Sequence, residues 1–237
     1  MTFQNQKDQP KIKVTKNGPY LVMGEVPIEE QIIFTDQQGI PVKWQLGKQY
    51  PTKVACTLCR CGKTKTKPYC DGTHLDAKFN GAEKAHSEKY LNKPTKIHGP
   101  KLNLLDIEKL CASARFCHRA GGIWKLIPKS ANEEATKTAI EEAFDCPSGR
   151  LIIQDKQTGA IMESNLKPSI GLIEDPDMGV SGPIWVKGGI LVESADGKTY
   201  RVRNRVTLCR CGKSTNKPFC DSSHYPEEHV AHGDAEK

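Results

Sequence analysis

One pattern occurs twice in this chain: Cys-x-Cys, eight residues, Cys, three residues, His. The first copy is Cys59, Cys61, Cys70 and His74; the second is Cys209, Cys211, Cys220 and His224. The repetition reaches beyond these residues. Thr57 to Lys63 recurs unchanged as Thr207 to Lys213, and Lys67-Pro68-Tyr69-Cys70-Asp71 returns as Lys217-Pro218-Phe219-Cys220-Asp221. Upstream, Asn17 to Gly24 resembles Ser181 to Gly188 at an offset of 164 instead of 150, so the first copy holds 14 extra residues ahead of its motif. Such self-similarity predicts two copies of one module around a central insert.

Thiolates and imidazole are soft or borderline donors that select zinc or iron–sulfur clusters over hard cations. Each motif is rich in Gly, Pro and Lys and poor in apolar residues, so a metal centre would supply much of its folding free energy. Ten cysteines would suit a secreted disulfide scaffold only behind an export signal. The first ten residues show neither a basic nor an apolar leader segment. No run approaches the ~18 apolar residues that cross a bilayer. These features predict a soluble, cytoplasmic protein whose cysteines are ligands. The net charge of +7 permits acidic partners or nucleic acid without requiring them. The lack of interleaved aromatics argues against nucleic acid. Spacing alone leaves zinc and iron–sulfur open. Structural zinc sites usually take cysteines two to four residues apart, whereas two ligand pairs suit a two-iron cluster.

Cys59-x-Cys61-x2-Thr64-x3-Pro68-x-Cys70-Asp71-Gly72-Thr73-His74 resembles the signature of the CDGSH iron–sulfur (NEET) family. Cys209-x-Cys211-x2-Ser214-x3-Pro218-x-Cys220-Asp221-Ser222-Ser223-His224 departs from it once, at Ser222, where the family has Gly. The resemblance implies a [2Fe–2S] cluster with three Cys and one His ligand in each motif. It places Cys59 with Cys61, and Cys209 with Cys211, on the inner iron. Cys70 with His74, and Cys220 with His224, would then hold the outer iron. Cys56 aligns with Val206 and reads as a packed free thiol. Replacing one thiolate by neutral imidazole removes a negative charge, which raises the potential as in His-ligated Rieske centres. It also makes that ligand the one most readily protonated near neutral pH.

Between the motifs, Cys111-x5-Cys117-x28-Cys146-Pro147-Ser148-Gly149 resembles the divergent mono-cluster ferredoxins. Ala114 stands where a fourth cysteine would be, which implies [3Fe–4S], or [4Fe–4S] with a foreign ligand. The competing reading is three buried free thiols. On a continuous helix over 104–120, Cys111 and Cys117 would lie about 240° apart and could not share a cluster. A cluster therefore requires that helix to stop near Cys111. His118 is not read as a ligand, and His86, His98, His229 and His232 read as surface residues.

The fold class expected is α+β, with two small β-rich cluster-binding modules flanking a central α/β ferredoxin-like insert. The expected boundaries are a disordered start (1–10), the first module (11–83), a polar connector (84–101), the central domain (102–175), the second module (176–225) and a disordered charged tail (226–237). Pro19–Val26 and Ile184–Val192 read as β runs, with Ala195-Asp196-Gly197-Lys198 as a hairpin turn. Helical turns are expected near Cys70-Asp71 and Cys220-Asp221. Leu104–Leu110 has helical spacing. A second helix is expected over Asn132–Phe144 behind a Ser130–Glu133 capping box, then a hairpin of Leu151–Ile153 with Ala160–Met162. No catalytic constellation is legible, so the chain is read as a carrier and not a stand-alone enzyme. The expected task is one-electron transfer, or storage and transfer of [2Fe–2S] clusters, toward a protein redox partner or an apo acceptor. The expected state is a monomer with an internal pseudo-dimer of modules and no membrane contact. The alternatives are a zinc-binding interaction module, and an electron-transfer subunit of an oxidoreductase complex. Lys63, Lys65 and Lys67 read as a solvated surface that could also steer an acidic partner.

Overall fold

The computed structural model describes residues 9–85 and 89–226. The ends expected to be disordered fall almost wholly outside the described residues, as do His86, His229 and His232. The first repeat opens with β1 (Lys11–Val14) and β2 (Tyr20–Met23), an antiparallel pair. A long hairpin of β3 (Ile28–Thr35) and β4 (Pro41–Tyr50) follows, in the region where the first copy is longer. β5 (Ala55–Leu58) leads into Cys59, and α1 (Thr73–Asp76) is the helical turn behind Cys70. The central segment contributes β6 (Thr95–His98), β7 (Leu102–Asp106), α2 (Ile123–Leu126), α3 (Glu133–Asp145), β8 (Leu151–Asp155) and β9 (Ile161–Met162). The second repeat contributes β10 (Ser169–Asp175), β11 (Val180–Lys187), β12 (Leu191–Glu193) and β13 (Arg205–Leu208). The architecture is α+β.

The repeats exchange strands. In one sheet, ordered β12-β1-β2-β5, the second repeat's β12 lies parallel to β1. In another, ordered β13-β11-β10-β3-β4, the first repeat's β3 lies parallel to β10. One core joins both repeats, with Ile12, Tyr20 and Leu58 packed among Ile170, Ile184, Leu208 and Phe219. The third sheet, β6-β7-β8-β9, belongs to the central segment. Leu104 and Ile153 on that sheet meet Ile123, Ala139 and Ala143 on the helices.

Three local readings change. The turn after Cys220-Asp221 is not helical, unlike α1. Leu104–Leu110 is not a helix: Leu102, Leu104 and Asp106 are buried and alternate with half-buried Asn103 and Leu105, the period of a strand. Pairing with β8 along the whole of β7 decides between the two periods. A single 3₁₀ turn, Glu108–Leu110, follows before the backbone leaves helical geometry at Cys111 (ψ 128°). α3 is capped by Asn132, whose Oδ1 accepts the Ala135 amide at 3.0 Å. Ser130 instead accepts the Lys101 and Leu102 amides at 3.1 and 3.3 Å. β6 lies within the stretch read as a connector, and β10, at the end of the stretch assigned to the centre, pairs with β3 and β11. The expected hairpins are present: β8 pairs with β9, and the Ser194 amide donates to Lys198 O at 2.8 Å.

Arg205 docks the second repeat on the central segment. It is 1% exposed, and its Nη1 donates to the carbonyls of Ala143, Phe144 (3.2 Å) and Cys146 (2.8 Å). These lie at the C-terminus of α3, where carbonyls lack intrahelical partners and a cation is favoured. Nη2 reaches Glu163 at 2.8 Å. Arg205→Met would leave several buried carbonyls unsatisfied and should cost about 2–4 kcal/mol. Urea unfolding checks this; an unchanged midpoint contradicts the docking role.

Candidate metal centres

Each motif is held open by its own backbone. The Cys59 amide donates to Pro68 O and the Cys209 amide to Pro218 O, both at 2.8 Å. The Cys70 and Cys220 amides return to Thr57 O and Thr207 O at 2.9 Å. The arginine inside each Cys-x-Cys ties the turn to the scaffold. Arg60 is buried and donates to Gly81 O (2.6 Å) and Thr15 O (3.2 Å). Arg210 donates to Gly182 O (2.9 Å) and Ile173 O (2.8 Å). Thr64 and Ser214 close the next turn on the carbonyls of Tyr69 and Phe219, each at 2.7 Å. Exposed Asp71 accepts the Lys65 amide at 2.8 Å, and that bond, with those from Thr73, holds its carboxyl well below the usual carboxylate range.

The side chains these turns present form pairs. Cys59 Sγ and Cys61 Sγ are 3.7 Å apart, as are Cys209 Sγ and Cys211 Sγ. Cys70 Sγ lies 3.3 Å from His74 Nδ1, and Cys220 Sγ lies 3.5 Å from His224 Nδ1. A tetrahedral metal with bonds of about 2.3 Å to sulfur and 2.0 Å to nitrogen would hold two thiolates ~3.8 Å apart and a thiolate–imidazole pair ~3.5 Å apart. Each pair therefore has the spacing of two ligands on one metal. Among the described residues, no group of three or more His, Cys, Asp or Glu converges on a single ion. The donor set fits two metals per motif, one on each pair.

The surroundings of the two motifs differ. Cys70 is half-buried, and Leu75 beside His74 is 72% exposed. Cys220 is buried, and Tyr225, the counterpart of Leu75, is buried and packs on His224 with ring centroids 4.5 Å apart. Tyr225 and Arg115 of the central segment both hydrogen-bond Asp175, and Arg115 donates to Tyr225 Oη at 2.8 Å. Burial, with the Arg210 charge adding, pushes His224 down to about 4, so its imidazole is neutral and ligand-competent near neutral pH. Between the two Cys-Gly turns runs a cavity of about 710 Å³, bordered by Lys63, Lys78, Lys84, Lys213 and Lys217.

Cys111, Cys117 and Cys146 are brought together. They line one small cavity with Ala112, Ala114 and Pro147. The helix that would have separated Cys111 from Cys117 is absent. Instead the chain turns through Ser113 (φ 53°) and Arg115 (φ 63°), left-handed positions that wrap residues 111–117 around the cavity. Burial pushes the Cys117 thiol up, and Cys146 and Cys111 add to it. Arg150 supplies positive charge beside them, pinned by Asp106 through bonds of 2.6 and 2.8 Å. Cys56 packs half-buried against the shared core. His98 is exposed and contacts Asn103 at 3.0 Å. The sequence reading missed Arg205, Arg115, Asp175 and Tyr225. The only signal available was the replacement of Ala55 by Arg205 and of Leu75 by Tyr225 between otherwise matching repeats.

Residues 17–75 and 181–225 match the family model described as iron-binding zinc finger, CDGSH type. Residues 97–156 match the model described as divergent 4Fe-4S mono-cluster. No curated protein and no solved structure matches the chain.

Glu142 lies fully buried on α3, near Cys117 and facing Arg119 and Asp145. Burial pushes its carboxyl up to about 8, Arg119 opposing and Asp145 adding. A raised acid keeps its proton in the fold after the unfolded chain has lost its own, so this group lowers stability as pH rises from about 4.5 to about 8. Glu142→Gln should flatten that part of the stability–pH curve and raise stability at its alkaline end. Denaturation midpoints across the range check this; the same slope in both proteins contradicts it.

Proposed function

We propose that this iron–sulfur protein, with two CDGSH-type regions around a divergent 4Fe-4S mono-cluster region, is a one-electron carrier with three centres. Two are [2Fe–2S] clusters held by Cys59, Cys61, Cys70 and His74, and by Cys209, Cys211, Cys220 and His224. The third, [3Fe–4S] or [4Fe–4S], is held by Cys111, Cys117 and Cys146. The observation that carries this reading is the arrangement of each motif's donors as two separate pairs at ligand spacing. A structural zinc needs four donors around one point, whereas two donor pairs suit a cluster of two irons.

When bound, a cluster supplies a one-electron couple whose potential follows its charge, hydrogen bonds and exposure. The chain's residues set those conditions. Arg60 and Arg210 fix the close cysteine pair, and the Lys213 amide donates to Cys211 Sγ at 3.4 Å. Imidazole in place of a fourth thiolate lowers the negative charge of each site. The lysines around the cavity between the turns give that face a positive potential suited to an acidic protein partner. In this reading the chain works as a monomer, has no substrate of its own, and engages neither nucleic acid nor membrane; no helix among the described residues is long and apolar enough to cross one.

A second reading, donation of the first motif's cluster to an apo acceptor, is favoured by the half-buried Cys70 and the bare Leu75 beside His74. An acceptor assay separates the two. The reduced chain should pass electrons to an oxidised one-electron acceptor and keep its iron. Loss of iron and sulfide to an apo-ferredoxin, without electron delivery, contradicts the carrier reading and supports donation.

His74→Cys should retain a cluster at the first motif and lower its potential, because the fourth thiolate restores a negative charge. Redox potentiometry checks this, and an unshifted potential removes His74 from the ligand set. A chelator should strip the first motif before the second, which lies under Tyr225. Simultaneous loss from both, followed by visible absorption, contradicts the asymmetry.

A further inference from the structure

Ser222 is the one place where the second motif departs from the signature that the first follows, and the structure gives that departure a role. Its backbone is left-handed (φ 71°), like that of Gly72 (φ 89°). A side chain in this region is strained. At Gly72 nothing lies within 4 Å of where a Cβ would stand. At Ser222 the side chain meets the central segment. Its hydroxyl donates to Cys111 O at 2.9 Å and accepts from Ser113 Oγ at 2.7 Å. Its amide donates to Cys220 Sγ at 3.4 Å. Ser113, Ser222 and Cys220 are all buried.

One residue thus touches a sulfur of one site and the backbone of a cysteine of another. The path runs from Cys220 Sγ through the Ser222 amide, Cα, Cβ and hydroxyl to the Cys111 carbonyl, without a solvent gap. The Arg115–Asp175–Tyr225 contact fixes the same two elements beside His224. In the first repeat, the counterparts of Ser222 and Tyr225 are open Gly72 and exposed Leu75.

We propose that Ser222 is the bridge through which one electron passes between the second motif's centre and the Cys111–Cys117–Cys146 centre, making these two a redox pair inside the chain. The proposal rests on the three-centre reading given above. The exchange balances by itself, since one centre loses one electron and the other gains it. Ser222 acts as a positioning residue for this path; it is not itself oxidised or reduced.

The test uses the full-length chain, anaerobically loaded, with iron and sulfide counted on every sample. Fewer than one electron per chain is delivered by flash photoreduction, and its distribution among centres is followed by freeze-quench EPR. Ser222→Gly keeps the left-handed backbone and the amide to Cys220 but removes the hydroxyl. It should slow equilibration between the two centres severalfold, with iron content and midpoint potentials unchanged. Ser113→Ala leaves the Ser222–Cys111 bond in place and should equilibrate like the wild type. Unchanged equilibration in fully loaded Ser222→Gly overturns the bridge while leaving the three centres standing. A wild-type chain with only about four irons, the content of two [2Fe–2S] clusters, overturns the premise and the bridge with it.

Discussion

Gly62 and Gly212 each pack against the carbonyl of the other repeat's second motif cysteine, so closely that a Cβ on either would lie 2.7 Å from that oxygen. Both also have left-handed backbones, with φ of 77° and 79°, so glycine is required on two counts. This contact sets the relation between the two Cys-x-Cys turns. It depends on the exchange of β3 and β12 between repeats, which joins them in one core without relying on the connecting segments. Tyr20 of the first repeat adds a cross-link, donating to Cys209 O and Pro218 O at 2.8 and 3.1 Å. Ligand turns with little apolar material of their own are thereby held by rigid sheets.

Symmetry ends where the central segment docks. Among the described residues it meets the second motif through Arg205 under α3, Ser222 on Cys111, and Tyr225 with Arg115 and Asp175. The aromatic cluster of Trp44, Phe116 and Trp185, with centroids 4.6 and 5.0 Å apart, closes the other side of this seam. Two near-identical motifs consequently sit in different dielectric surroundings. Their candidate ligands are of the same residue types, so a difference in potential or lability between them would trace to these neighbours. The difference lies at the Cys–His side of each motif: Cys70 is half-buried beside exposed Leu75, whereas Cys220 and Tyr225 are buried.

The donor pairs were legible in the sequence because metal chemistry restricts residue type and spacing strongly enough to survive without a fold. The α3 helix and the hairpin of β8 and β9 were legible from periodicity and turn residues. β7 was not, because Leu102, Leu104 and Leu105 satisfy a helical face nearly as well as a strand, and only pairing with β8 distinguishes them. That misreading carried the sole geometric objection to a shared site for Cys111 and Cys117. The strand exchange and the docking arginine were out of reach for a different reason. Arg205 meets Cys146 across 59 positions and β3 meets β10 across still more, and no local pattern encodes such partners. Ser222 was visible as a departure, but its consequence lay in the loop that the helical reading had removed.

The central claim is that the donor pairs and the three-cysteine cavity hold iron–sulfur centres. The most direct test is the visible absorption spectrum of anaerobically purified full-length protein, with iron, labile sulfide and zinc counted on the same sample. The account predicts broad visible bands and about seven or eight irons per chain, with comparable sulfide and no stoichiometric zinc. A colourless protein with about two zincs and no sulfide would contradict it, leaving two structural zinc modules around three plain thiols.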